Sequence, residues 1–77
     1  MEEKIKVYIK INENNEIIEV GSSVFIEDFS KWIYVDEGIG DKFAHAQNQY
    51  LENPIVNDAG FYNYTYENGK IIDKEKR

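Results

Sequence analysis

Cysteine is absent from this 77-residue chain, which excludes disulfide staples and thiolate metal sites. Histidine occurs once, so a histidine-rich metal site is excluded as well. No apolar run exceeds a few residues, whereas a membrane-spanning helix needs about 20. Basic residues are the minority: nine Lys and Arg stand against fifteen Asp and Glu, for a net charge of −6. That balance opposes binding to phosphate backbones, where affinity comes from neutralising cations, and adsorption to anionic membranes. The opening "MEEKIK" lacks the charged-then-apolar layout of a secretory signal. The product is therefore expected to stay in the cytoplasm of the producing cell, or to leave it as part of an assembly.

What is present is aromatic. Trp32, four phenylalanines and six tyrosines can each bury about 150–250 Å², so a handful can hold a small core together without staples. The length predicts a single domain over residues 1–77. A chain this short buries roughly 60% of its unfolded surface, which predicts modest stability.

Periodicity predicts the elements. In "KIKVYIKI", Ile5, Val7, Ile9 and Ile11 share one face and Lys4, Lys6, Tyr8 and Lys10 the other, the pattern of a half-buried antiparallel strand over about 4–11. "NENN" is a turn, and a returning strand over about 15–20 would put Ile18 and Val20 on the face of Ile9 and Ile11. The lysine face would then look into water and guard against edge pairing. Val24, Phe25 and Ile26 read either as a short strand or as an apolar loop tucked against the core. A strand over about 31–36 places Trp32, Tyr34 and Asp36 on one face, with Ile33 and Val35 on the other. With both faces apolar, it reads as central or doubly covered.

"GIGDKFAHAQNQYLENP" predicts the one helix, over about 41–51, with Asp41 as its cap and Pro54 beyond its end. Phe43, Ala46, Tyr50 and Leu51 form its buried stripe, while Lys42, His45 and Gln49 point away. Asn68-Gly69 is a two-residue hairpin turn between strands over about 61–66 and 70–73, followed by a charged tail, 74–77. On the first of these strands Tyr62, Tyr64 and Tyr66 alternate on one face with Ile71 beside them. Phe61, Asn63, Thr65 and Ile72 take the other. The expected fold class is α+β: an antiparallel sheet of four to five strands, with N- and C-terminal hairpins and one short helix packed on one face.

Few residues suggest chemistry. His45 with Asp36, Glu37 and Asp41 resembles a metal or acid–base cluster. A zinc site needs about three or four protein ligands, so a capping aspartate beside a solvated histidine is preferred. "DEGIGD" lacks the ligand spacing of a calcium loop, and its Gly-x-Gly lacks a phosphate-binding lysine. Ser22, Ser23 and Ser30 have no nucleophile elbow around them. Acids are plentiful enough for a glycosidase-type pair, but the chain leaves little room for a sugar cleft. No catalytic, cofactor-binding or metal residue is assigned, no cofactor is implied, and the chain is read as a non-enzyme. The tyrosine row suits the stacking of sugars or bases, a protein interface, or, preferred here, the inner face of the hairpin. The candidate partner-binding surface comprises Trp32, Tyr34, Tyr62, Tyr64 and Tyr66.

Over residues 32–72 the chain resembles small proteins of Gram-positive phages and prophages encoded in the tail, baseplate and tail-fibre region. The resemblance is carried by Asp36, Glu37, Gly38, Gly40, Asp41, Lys42, His45, Ala46, Gln47, Tyr50, Leu51, Gly69 and Lys70, a "DEGxGDKxxHAQxxYL … GK" pattern. It implies a phage-derived accessory or structural protein acting through another phage or host protein, cytoplasmic in the producing bacterium or associated with the virion. It assigns no role to any single residue. A small ligand- or carbohydrate-binding module using exposed aromatic rings is the alternative.

Overall fold

The computed structural model describes residues 4–51 and 53–74. Three strands, β1 (Ile5–Ile11), β2 (Ile17–Ser22) and β3 (Ile33–Gly38), form one antiparallel sheet in the order β2-β1-β3. Two four-residue helical turns, α1 (Asp41–Ala44) and α2 (Ala46–Gln49), follow. A C-terminal hairpin, β4 (Tyr64–Glu67) and β5 (Lys70–Asp73), makes a second, two-stranded sheet. The fold is α+β, with five antiparallel strands and a short helical segment against one face. No helix among the described residues is long and apolar enough to cross a membrane.

The lysine-bearing strand is the central one, flanked on both sides. Its lysines therefore guard no edge; β2 and β3 are the edges, so of the two readings of β3, central or doubly covered, the first is overturned. Alternation along β1 holds: Val7 and Ile9 are fully buried. The return through the turn differs from expectation. Asn12 and Glu16 close a three-residue loop, with the Asn12 N–H donating to the Glu16 carbonyl at 3.0 Å. The Asn12 side-chain oxygen accepts from the N–H groups of Asn14 and Glu16 at 2.9 and 3.0 Å, and Asn15 takes a positive φ of 62°. An odd loop puts Ile17, not Ile18, opposite Ile11. The register then slips, so that Glu19 faces Lys10 and Val20 faces Ile9. Ile18 is the extra residue of this bulge, and Ile17 and Val20 reach the core side together.

The core lies between the inner face of the three-stranded sheet, the helical turns and the hairpin. Val7, Ile9, Ile17, Val20, Ala46 and Tyr64 are buried there, with Phe43, Tyr50, Leu51, Tyr66 and Ile71 packed around them. Each fully buried aliphatic side chain contributes about 1.5–3 kcal/mol. The predicted stripe of the helix points inward and Lys42, His45 and Gln49 lie outside, as expected. The helix itself is broken at His45, where φ −114° and ψ 44° leave helical geometry. Asp41 is not the cap: Gly40, at φ 113°, holds that position without a side-chain bond, and Asp41 begins the first turn. An acid there suits the helix dipole.

The Asn68-Gly69 turn forms as predicted, with φ of 53° and 78° and Glu67 opposite Lys70. Regular pairing in β4 begins at Tyr64 rather than residue 61. Both of its faces are covered, since Asn63, Tyr64 and Thr65 are all buried. The hairpin is stitched to the first turn by a Glu16–Thr65 bridge and by the Tyr66 N–H donating to the Asn15 carbonyl at 2.8 Å. Lys74, assigned to the tail, belongs to this seam. Its N–H donates to the Asn63 carbonyl at 3.0 Å and its ammonium pairs with Glu16. The rest of that predicted tail lies outside the described residues.

Candidate functional site

The outer face of the sheet, turned away from the helical segment, carries Lys6, Tyr8 and Lys10 from β1. A second register slip decides what β3 adds. Ile33 pairs with Ile9 and Tyr34 with Tyr8, but Asp36, not Val35, pairs with Val7. Val35 is thus the extra residue. Trp32 and Tyr34 share the outer face as predicted, while Asp36 crosses to the inner face, where its Oδ2 accepts from the Tyr50 hydroxyl at 2.8 Å. Glu37 arrives on the outer face in its place, and its Oε1 accepts from the Tyr34 hydroxyl at 2.6 Å.

Residues 23–32 fold back over part of this face. Ser23 anchors the segment, its N–H donating to the Lys6 carbonyl at 2.8 Å and its Oγ accepting from the Lys6 N–H at 3.1 Å. The Asp28 carboxylate accepts from the Ser30 N–H at 2.9 Å, which, with lesser help from Lys10, holds that carboxyl below the usual range. Trp32 lies on the bare backbone of Gly21: a Cβ there would stand 3.1 Å from the indole and 3.2 Å from Ile26. Of the apolar trio 24–26, Val24 and Phe25 are exposed and only Ile26 tucks in.

The result is a row of rings across the outer face. Tyr8 sits 4.8 Å from Phe29 and 5.9 Å edge-on from Tyr34, centroid to centroid. The Lys10 ammonium lies 4.6 Å from the Trp32 ring centroid. Phe29 and Tyr34 remain 41% and 46% exposed, so the row is neither core nor scattered surface residues. The bond to Glu37, then burial and the nearby carboxylates, push the Tyr34 phenol up to about 12, so it stays a donor throughout the neutral range.

The five residues expected to form one surface therefore separate. Trp32 and Tyr34 lie on the outer face. Tyr64 is core, its hydroxyl accepting from the Asn53 N–H at 3.0 Å, while Tyr62 and Tyr66 are half-buried in the C-terminal region. Tyr8 and Phe29 were missed. Tyr8 is the single aromatic on the lysine face of β1, a visible signal; Phe29 sits in a segment without periodicity and had none.

A concavity of about 450 Å³ opens elsewhere, beside β2 and α2, lined by Val20, Ala46, Gln47, Leu51, Asn53, Pro54 and Ile55. Among the described residues, none of these lining side chains ionises; they offer amide hydrogen bonds and apolar walls. His45 is exposed; its nearest ring contact is Phe25, 6.2 Å away between centroids. Among the described residues no three His, Cys, Asp or Glu side chains gather as a metal site would require.

No family model, curated protein or solved structure matches the chain.

Proposed function

We propose that this chain is an interaction module that docks another protein through the Tyr8–Phe29–Tyr34 row, as a phage-derived accessory or structural component of a tail assembly. The observation that supports docking is that row itself: Tyr8 in contact with both Phe29 and Tyr34, the latter two more than 40% exposed, on the side of the sheet away from the core. Contiguous exposed aromatics mark interaction surfaces more often than lone ones do. The tail setting rests on the resemblance over residues 32–72, and with it a place in the producing cytoplasm or on the virion. A carbohydrate ligand is the second reading, supported by a carboxylate fixed at the edge of an exposed tyrosine ring.

The test is photo-crosslinking from benzoylphenylalanine placed at Phe29 or Tyr34, with Glu13 at the exposed hairpin tip as control, in phage-producing cells. A discrete adduct with a virion or assembly protein from positions 29 and 34, and none from 13, is the expected result. Adducts equally frequent from all three positions, or from none, contradict a docking role for this face.

A further inference from the structure

Resting on that reading, we infer that the outer face receives an arginine of the partner, its guanidinium lying over the Tyr34 ring and its N–H groups donating to the Glu37 carboxylate. The face already holds one cation on an aromatic ring, since Lys10 caps Trp32. The neighbouring Tyr34 ring carries no such cation among the described residues, yet it has a carboxylate fixed beside it. Glu37 Oε1 is engaged by the Tyr34 hydroxyl. Its Oε2 has no hydrogen bond or ion pair among the described residues.

The surrounding charges leave that position open. Lys6 is the cross-strand neighbour of Glu37 but forms no ion pair with it among the described residues. Asp36 is turned inward to Tyr50, and Asp28 is occupied by Ser30. An arginine suits the gap better than a lysine, because its planar fork stacks on a ring and donates to a carboxylate at once. The net charge of −6 attracts a basic partner over a longer range.

The experiment is amide chemical-shift mapping on the full chain. The probes are a capped Gly-Arg-Gly-Arg-Gly peptide, its lysine counterpart and a neutral cello-oligosaccharide. The arginine peptide should shift the amides around Tyr8, Phe29, Tyr34 and Glu37 and bind several-fold more tightly than the lysine peptide. Glu37→Gln should weaken it about tenfold, the scale of a charge-assisted hydrogen bond, and Tyr34→Ala should abolish it. Spectral dispersion in each variant reports that the fold is intact. Equal binding of the two peptides, or shifts scattered over all acids, overturns the inference. So does an arginine peptide indifferent to Glu37→Gln. If the inference fails while crosslinks from positions 29 and 34 persist, the docking face stands and only its arginine is lost. If those crosslinks are absent too, the docking reading falls with it.

Discussion

Tyr34 donates a hydrogen bond to Glu37 from three residues away along the same strand. In a regular strand residues three apart point to opposite faces, so the bond exists because Val35 is a bulge. One extra residue reverses the parity of everything after it. The same slip that brings Glu37 out beside Tyr34 takes Asp36 in beneath Tyr50.

These two bonds should be visible in a tyrosine titration. Tyr34 is pushed up to about 12 chiefly by its bond to Glu37, and Tyr50 to about 12 chiefly by burial and then by Asp36. A phenol raised from 10.0 on folding adds stability that is complete below pH 10 and is lost as the pH climbs toward 12. Ultraviolet titration of the six tyrosines should therefore show two late groups. Glu37→Gln should return one toward 10 and Tyr50→Phe should delete the other. A Glu37→Gln curve superimposable on the parent's would contradict the Tyr34 assignment.

Gly38 is predicted to be irreplaceable for a steric reason. A Cβ there would stand 2.4 Å from the Phe43 ring, so Gly38→Ala should cost about 1–3 kcal/mol through overpacking. Adding Phe43→Leu should recover part of the loss, making the two changes non-additive. Urea midpoints of the single and double variants measure this.

Ser22 is fully buried, and its hydroxyl has no hydrogen-bond partner among the described residues. Ser22→Ala removes a desolvated polar group with little change in volume and should stabilise the protein by about 1 kcal/mol. A lower urea midpoint would show that the hydroxyl is satisfied in solution.

The Glu16–Lys74 pair ties the first hairpin to the last strand. Lys74 chiefly, and then Asn12, hold the Glu16 carboxyl below 4.5. A lowered carboxyl pKa contributes stability that is complete above 4.5 and lost as the pH falls through the folded value. Glu16→Gln should therefore destabilise at neutral pH and converge on the parent as acid is added. A constant gap down to pH 2.5 would rule out the ion pair as the cause, and solvent screening of so accessible a pair keeps the gap small.

At the second turn, Gly69 has φ 78°, a left-handed conformation costing about 1–2 kcal/mol for a residue with a Cβ. Gly69→Ala should lower the thermal midpoint accordingly, whereas Lys70→Ala, at an exposed strand position, should leave it nearly unchanged.

Much of the fold was legible. Alternation located β1 and its buried Val7 and Ile9, the Asn-Gly pair located the second hairpin, and the spacing of Phe43, Ala46 and Tyr50 identified the inward side of the helical segment. Tyr64, in the middle of the tyrosine row, is the ring of the three that enters the core. The candidate site was half legible: Trp32 and Tyr34 were named together, but with three tyrosines that lie elsewhere and without Tyr8 or Phe29. A row of aromatics at period two says that the rings share a face. It says nothing about whether that face meets a helix, a loop or water.

By itself the sequence determined the local periods, the turn residues and a small core of aliphatic and aromatic side chains without disulfide staples. Those follow from backbone geometry and from side-chain chemistry acting within a few residues. Only the tertiary structure decided which strand is central, where Ile18 and Val35 bulge, and therefore which side of the sheet Asp36 and Glu37 occupy. Each of those outcomes depends on pairing between distant segments, where a one-residue slip exchanges the two faces and the cost is set by whichever arrangement fills the shared core.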